Sequence, residues 1–367
     1  MKNQIKFLSV LLIVFTLFSC QQDENTDVNI VSTKNTIDPE IKAQIENQTG
    51  SDENGEITRI LMVGEMHESE TSPDVLVSFV GQPMIYSVAK DRTSLLELFR
   101  LSLNNKLPIE VSINIEDHYI KNARQTNNEK INQYRQMNED LLPEEFLPEE
   151  LNDNRLESRA NDIVPNLTTA KKIFDEVNKM SVVYANGTFA PASLSIPGYN
   201  LGRIPYQYAD DGCYARAHAI RRVVENNFGY TSYKRFIITP SIAQMPLTVK
   251  ATKWSNPGCC IAWGYHVAVA LKVRQSDGSL AWYVIDPSIF SEPVTASTWD
   301  NSMIGNSSTA CKNMSAYNNQ YKRYTIASQY YTPGSVVNNQ QYFTFDNTYN
   351  NTYSTMYNYR TRRSCPR

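Results

Sequence analysis

Cys213 is the residue of this chain with the clearest potential for chemistry. It lies in the segment ADDGCYARAHAIRR, where an Asp-Asp-Gly turn leads into a predicted helix over residues 211–228 that Asp211 would cap and Gly229 would end. A thiol in the first turn of a helix faces the positive end of the helix dipole and unpaired backbone N–H groups. These favour the reactive thiolate and can hold an oxyanion. A buried structural thiol and half of a disulfide are the alternatives that the position leaves open.

A thiol nucleophile needs a base, and the chain has only 4 histidines. His67 and His118 lie in the acidic N-terminal part of the chain. His218 follows Cys213 by five residues, which places it about 140° away around the helix axis. His266 is left, near the start of the alternating segment WGYHVAVALKV, which predicts a strand. Elimination therefore selects His266 as the base.

Asp286 is the candidate for the third member of a Cys-His-Asp triad. It ends the segment LAWYVIDPS, which follows the turn signal SDGS and predicts a hairpin with the strand of His266. A carboxylate there could accept the imidazole N–H and orient the ring. A two-residue turn at Asp277 and Gly278 would place Asp286 on the wrong face of the sheet. We therefore expect an odd-length loop or one β-bulge in this hairpin.

Three sequence blocks, DGCYARAH, CCIAWGYHVAVAL and VIDPSIFSEPVTASTW, resemble the bacterial protein-glutaminase family in order and spacing. The resemblance implies that Cys213 is the nucleophile, His266 the base and Asp286 the orienting acid in the deamidation of glutamine side chains within proteins. It also implies an α+β fold: a papain/transglutaminase-like catalytic domain with an antiparallel sheet and a nucleophile-bearing helix. A small α/β pro-domain that blocks the active site would precede this domain.

The cysteine count is consistent with a free Cys213. Without Cys20 five cysteines are left, so at least one thiol has no partner within the chain. Neighbouring cysteines rarely bond to each other, because they cannot easily reach disulfide geometry. If Cys213 is free, two bridges form in an order that the sequence does not fix, among the candidates Cys259, Cys260, Cys311 and Cys365.

The N-terminus has the features of an export signal. Two lysines precede an apolar stretch, and the segment LFSC resembles the lipobox of bacterial lipoproteins, in which Cys20 would be lipidated. An ordinary secretory signal is the alternative. Either signal predicts an exported protein. A lipoprotein signal would anchor it by lipid at the outer membrane or cell surface of a bacterium, and proteolysis could then release the catalytic part. Disulfides persist in such compartments.

Composition and charge divide the remaining chain into two halves. Residues 21–160 carry 27 acidic against 13 basic residues, whereas residues 161–367 carry 11 acidic against 20 basic. Opposite charge favours an acidic pro-segment bound to a basic catalytic domain, although two domains of different pI are the simpler alternative. The predicted segments are a signal peptide (1–20), a flexible tether (21–55), an acidic inhibitory pro-domain (56–137), a linker (138–160) and a catalytic domain (161–367).

The predicted activity is hydrolysis of glutamine amides through a cysteine thioester, in a protein made as a pro-enzyme. A transglutaminase, a thiol protease and a non-enzymatic surface lipoprotein that binds other molecules are the alternatives. The partners would be protein or peptide substrates bearing glutamine, the chain's own pro-domain and an activating protease, for which Arg155 and Arg159 are candidate cleavage points. Trp263 and Tyr214 are candidate substrate-lining residues, with the core as an equal alternative. No cofactor, metal ion or nucleic acid is predicted.

Overall fold

A computed structural model describes most of the chain from residue 56 onward. The described residues are 56–136, 141–143, 161–183, 203–255, 258–305, 307–308, 311–328, 330–337, 340–345 and 349–365. The predicted signal peptide with Cys20, the tether, and the candidate cleavage points Arg155 and Arg159 lie outside them. Among the described residues, no helix is both long enough and apolar enough to span a membrane.

The N-terminal module, residues 56–136, is built from two three-stranded antiparallel sheets and two helices. One sheet has the strand order β1-β5-β6 and the other β2-β3-β4. Strand β3, with the sequence DVLVSF, alternates between buried and half-buried positions, because one face of the strand packs on the core. The bounds are β1 Glu56–Leu61, β2 Val63–Glu68, β3 Asp74–Phe79, β4 Ile85–Ala89, α1 Thr93–Asn105, β5 Ile109–Asn114, β6 Ile120–Gln125 and α2 Asn128–Gln136.

A mainly antiparallel sheet forms the centre of the C-terminal half, residues 161–365. Its strand order is β14-β13-β12-β9-β15, and the short strand β8 pairs with β12 in parallel. The bounds of the larger elements are β8 Ile163–Val164, α3 Leu167–Lys179, α4 Cys213–Phe228, β9 Tyr233–Ile238, β10 Leu247–Ala251, β11 Cys259–Trp263, β12 Tyr265–Arg274, β13 Leu280–Ile285, β14 Val294–Thr295, α5 Ala296–Ile304 and β15 Lys322–Ala327.

Strand β12 separates two hydrophobic clusters. Its odd-numbered residues, including Val267 and Val269, pack in one cluster with helices α3 and α4. Ala268 packs in the other cluster with Trp263 of β11 and Trp299 of α5. Because both faces are covered, β12 is buried along nearly its whole length. The strand therefore holds the start of helix α4 on one side and the two tryptophans on the other.

The hairpin of β12 and β13 confirms the predicted odd-length loop. Arg274 pairs with Leu280 and Val269 pairs with Ile285, so a five-residue connection, 275–279, joins the strands. Gly278 has φ 86°, and its N–H donates to the carbonyl of Gln275. Gly278 takes a left-handed conformation directly after a turn, so the loop has an odd number of residues where the simplest hairpin has two. The resulting register places Asp286 on the same face as His266.

The C-terminal region adds a small sheet and a last helix. The sheet has the strand order β16-β17-β7, in which Leu141–Pro143 (β7) pairs with Gln340–Phe345 (β17). Part of the predicted linker is therefore a strand in this sheet. The remaining bounds are a 3₁₀ helix Ser315–Gln320, β16 Tyr330–Val337 and α6 Tyr349–Tyr359. The expected mixture of helices and an antiparallel sheet, with Cys213 at a helix start, is thus present.

Candidate active site

Cys213 is the first residue of helix α4, and the turn before it is held by backbone geometry. The N-cap is Gly212 with φ 74°, and no side chain caps the helix. The expected cap by Asp211 is wrong, because its Oδ1 accepts the N–H of Gly212, 2.6 Å away, instead of an N–H of the first turn. A Cβ at Gly212 would lie 3.0 Å from the ring of Tyr359, so only glycine suits both this φ and this close contact. The N–H groups of the first turn are left without a side-chain cap.

The thiol of Cys213 is free and buried. Its Sγ accepts a hydrogen bond from the backbone N–H of Val267, the residue after His266. The expectation of a lowered thiol pKa is not met in this structure. Burial raises the pKa of Cys213 to about 12, although Arg216 and the N–H of Val267 act in the opposite direction. In this closed arrangement the thiol is protonated at neutral pH.

His266 and Asp286 form a buried hydrogen-bonded pair. The Nε2 of His266 lies 2.9 Å from Oδ2 of Asp286, and both side chains are almost completely buried. Burial opposes ionisation of Asp286, but hydrogen bonds from His266 and Trp299 hold its pKa below the ordinary value. The Nδ1 of His266 has no hydrogen-bond partner among the described residues. Nδ1 is therefore the ring nitrogen left for proton transfer.

Two tryptophans flank the imidazole of His266. The ring of Trp263 stacks on the imidazole with a centroid distance of 4.3 Å. The ring of Trp299 also stacks on it, with a centroid distance of 5.4 Å. The sequence analysis did not single out Trp299, and the only available signal was its place in the block VTASTW.

The two predicted lining residues, Trp263 and Tyr214, are both buried. Trp263 packs against the imidazole, and the side chain of Tyr214 is hydrogen-bonded to Thr355 of α6. Their role in contacting substrate stays a prediction.

His218 is separate from this group, as its place on the helix predicted. Its Nδ1 lies 3.2 Å from Nζ of Lys234. Burial, followed by the charge of Lys234, lowers the pKa of His218 to about 2. A histidine with a pKa this low is a poor proton acceptor, and its Nδ1 is occupied by Lys234, so His218 is not suited to be the base for Cys213.

The N-terminal module contacts the residues around Cys213 and His266. The carbonyl of Pro83 accepts the N–H of Gly264 at 2.7 Å, and the carbonyl of Gly81 accepts the hydroxyl of Tyr265 at 3.0 Å. Met84 forms an isolated antiparallel bridge with Trp263. The loop between β3 and β4 therefore runs along the segment that leads into His266.

Ion pairs between the module and the C-terminal half do not follow the net charges of the two halves. Arg59 of the module contacts Asp211 at 3.2 Å, and His118 lies 3.6 Å from Asp210. The third pair, between Arg362 and Glu116 at 2.7 Å, has the polarity that the charge counts predicted. The pair of Arg59 with Asp211 thus takes its cation from the acidic half.

Two disulfides tie the C-terminal half together. Cys259 bonds to Cys365, and Cys260 bonds to Cys311. This is one of the two pairings that the cysteine count left open, and it leaves Cys213 free as expected. Among the described residues, no group of three or more His, Cys, Asp or Glu side chains is placed to hold a metal ion.

Comparisons with known proteins give a family match over the segment that holds the site. Residues 170–303, which include Cys213, His266 and Asp286, match the family model described as "Glutaminase", and this confirms the resemblance read from the sequence over that segment. None of the curated proteins matches the sequence.

Three solved structures of related name are similar to the chain. The crystal structure of pro- protein-glutaminase matches with a TM-score of 0.57 at 19% identity, covering 85% of this chain and 94% of that chain. Its A47Q2 mutant matches with a TM-score of 0.57 at 20% identity, covering 86% and 95%. The NMR structure of protein-glutaminase from Chryseobacterium proteolyticum matches at 26% identity with a TM-score of 0.37, covering 51% and 83%. The first two show a shared fold, and the family match supports a hydrolase that deamidates glutamine.

Proposed function

We propose that this chain is a protein-glutamine deamidase that is made as an inactive precursor. The observation that carries the proposal is the buried His266–Asp286 pair together with a free Cys213 that contacts the backbone of Val267, the residue after His266, within the segment that matches the glutaminase model. A thiol, a base with one unoccupied ring nitrogen and an orienting carboxylate are the parts that acyl transfer through a cysteine requires.

In the first half of the proposed reaction, the Nδ1 of His266 takes the proton of the Cys213 thiol, and Sγ attacks the carboxamide carbon of a glutamine side chain. Uncapped N–H groups in the first turn of α4 stabilise the oxyanion of the tetrahedral intermediate. The intermediate collapses when the imidazolium gives its proton to the leaving nitrogen. The C–N bond breaks, ammonia departs and a thioester to Cys213 is left.

In the second half, water attacks the thioester carbon while Nδ1 of His266 accepts a proton from the water. Collapse of the second tetrahedral intermediate breaks the C–S bond and returns that proton to the sulfur. The products are a glutamate side chain and the regenerated thiol. In this proposal Asp286 orients the imidazole throughout, because it occupies Nε2 and leaves Nδ1 for proton transfer.

The N-terminal module supplies the proposed inhibition. Its loop over Gly81–Met84 contacts the segment next to His266, and its Arg59 contacts Asp211, two residues before Cys213. A substrate glutamine has to reach a thiol that is buried while the module is bound. Activation therefore requires removal of the module by a protease that cuts within the predicted linker.

The burial of Cys213 also bears on the alternative of a non-enzymatic binding protein, which predicted a buried, disulfide-bonded or distant cysteine. Cys213 is buried, but it is free and adjacent to the strand of His266. The module contacts Gly264 and Tyr265 beside His266 and Asp211 before Cys213, and in this proposal its removal exposes the thiol. We further propose that the chain is exported and lipid-anchored through Cys20, which is in keeping with two disulfides in its C-terminal half.

The test is ammonia release from casein by the chain, before and after limited proteolysis. We expect release only after cleavage, and none from Cys213→Ala or His266→Asn. His67→Asn is the matched histidine control, since His67 lies in the module, and it should release ammonia at the wild-type rate. Ammonia with cross-linked casein would indicate a transglutaminase, and new peptide termini would indicate a protease. No reaction of the cleaved chain, with a reactive Cys213 thiol, would refute the deamidase.

A further inference from the structure

We propose that Trp263 and Trp299 form an aromatic clamp that stabilises the protonated imidazole of His266 and positions it for proton transfer. The inference rests on the proposed function, in which His266 becomes a cation after it deprotonates Cys213. It assigns both tryptophans as positioning residues, and it gives Trp263 a role other than contact with substrate.

The clamp is a parallel arrangement of three rings. The plane of Trp263 is tilted by 12° from the imidazole and that of Trp299 by 23°, so both indoles present their faces to His266. The centroid distances of 4.3 Å and 5.4 Å lie within the range in which an aromatic face attracts a cation. Both tryptophans are fully buried, and water therefore does not weaken this attraction.

Each indole N–H fixes the clamp to a different part of the site. The Nε1 of Trp299 donates to Oδ2 of Asp286 at 3.0 Å, the same oxygen that Nε2 of His266 contacts. The Nε1 of Trp263 lies 3.0 Å from the carbonyl oxygens of Ala209 and Asp210, in the loop that leads to Cys213. One tryptophan thus holds the orienting acid, and the other connects the base to the approach of the nucleophile helix.

The electrostatics of the site explain why an imidazolium needs this support. Arg216, on the same helix as Cys213, is buried and acts on both Cys213 and Asp286 as a positive charge. The imidazolium of His266 therefore forms in a site that already holds one buried cation, and Asp286 is the carboxylate bound to it. The titratable or charged groups that act on this triad are Cys213, Asp286, Arg216, Asp211, Tyr206, Tyr214 and Lys253. Two aromatic faces lower the free energy of the imidazolium without adding another charge.

The experiment is the pH dependence of kcat/KM for ammonia release from a glutamine-containing peptide, after limited proteolysis of the full chain. The variants are Trp263→Phe, Trp263→Leu and Trp299→Phe, with Trp282→Leu as the matched control. Trp282 lies on β13 and packs on Tyr233, away from His266. Active sites are counted by titration of the Cys213 thiol, so that misfolded protein does not enter the rates.

We expect the alkaline limb of the pH profile, which reports loss of the imidazolium proton, to move. In Trp263→Leu the midpoint of this limb should fall by about one pH unit, because one aromatic face beside the imidazolium is lost. Trp263→Phe should keep most of the limb's position but lose roughly tenfold in kcat through the lost hydrogen bonds to the loop. Trp299→Phe should lose a similar factor in kcat. Trp282→Leu should leave both quantities unchanged.

The outcomes separate the clamp from its alternatives. A higher KM with unchanged kcat and an unmoved alkaline limb in Trp263→Leu would mean that Trp263 contacts substrate, and it would overturn the inference. A fall in kcat without any shift of the limb would assign a purely structural role and would also overturn it. If the cleaved wild-type chain is inactive, the proposed function itself is refuted. If it is active, the pH profiles of the variants test the clamp alone.

Discussion

Substitution of Arg59 by methionine should open the precursor without cleavage. Arg59 places Nη1 3.2 Å from Oδ2 of Asp211 and 2.8 Å from Oε1 of Gln82, and Nη2 2.5 Å from the hydroxyl of Tyr359. The side chain of Asp211 is 0% exposed, so Arg59→Met leaves a buried carboxylate without its cation. In the open state water reaches Asp211, and the cost is therefore confined to the closed state.

The size of this cost follows from the partners that Asp211 keeps. Removing one member of a buried ion pair costs about 3–5 kcal/mol. Asp211 retains the hydroxyl of Tyr359 and the N–H of Gly212, which places Arg59→Met near the lower end of that range. About 3 kcal/mol corresponds to a roughly 100-fold larger open population.

The assay measures the rate at which iodoacetamide labels Cys213 in the uncleaved chain at neutral pH. Mass spectrometry quantifies the labelled protein. If closing is fast relative to alkylation, the rate follows the open population. Arg100→Met is the control, because Arg100 and Glu68 form a pair within the module in which the side chains are 48% and 49% exposed. Such a pair contributes at most about 1 kcal/mol.

Labelling of Arg59→Met at the wild-type rate would refute this account of the closed state. A lower melting temperature with unchanged labelling would also refute it, since the loss would then fall on folding and not on the contact of the module with the site. Labelling of both arginine variants to the same extent would assign the effect to net charge.

Three further predictions concern the site itself. Gly212→Ala should destabilise the chain by about 1–2 kcal/mol from its positive φ alone, and by more from the contact with Tyr359, which urea denaturation measures. Asp286→Asn should keep the fold by circular dichroism but lower kcat of the cleaved chain by roughly 10²–10⁴-fold, because His266 loses the charge that orients it. Alkylation of Cys213 in the uncleaved chain should rise about tenfold per pH unit without a plateau below pH 10, since burial raises its pKa to about 12 and only the thiolate reacts; an early plateau would contradict that pKa.

The candidate residues Cys213, His266 and Asp286 could be selected from the sequence because their constraints are local or can be counted. His266 followed from eliminating three other histidines, and the face of Asp286 followed from hairpin register, which set a loop condition that the structure meets. The candidates for two disulfides followed from the odd number of cysteines. Each of these arguments needs only spacing, periodicity or arithmetic along the chain.

Long-range contacts explain what the sequence could not predict. Asp211 has the residue type and position of a helix cap, but its carboxylate instead accepts from Arg59, 152 residues away in the chain. A helix N-terminus lowers the pKa of an exposed thiol, but burial of Cys213 reverses this effect. Trp299 gave no signal beyond its place in the block VTASTW, because stacking on His266 depends on the tertiary packing of α5.

The N-terminal module shows the same limit on a smaller scale. The sequences of β1, β3, β5 and α1 have the apolar periodicity that predicts these elements. Strand β6, with the sequence IKNARQ, lacks it, because it is an edge strand with one buried residue. Strand β4 follows the Gly-Gln-Pro segment and is only five residues long.

Because β7 pairs with β17, cleavage of the proposed precursor is a different event from its activation. Leu141–Pro143 lies on the module's side of any cut made between residues 144 and 160, yet its strand partner belongs to the C-terminal half. A nicked chain is therefore still a two-fragment complex, joined by this short ladder as well as by the contacts around Cys213. Activity should lag behind cleavage by the dissociation time of the freed fragment, and a high protein concentration should lengthen that delay through rebinding. Cleavage is then the first event, and dissociation of the freed fragment sets the delay before activity appears.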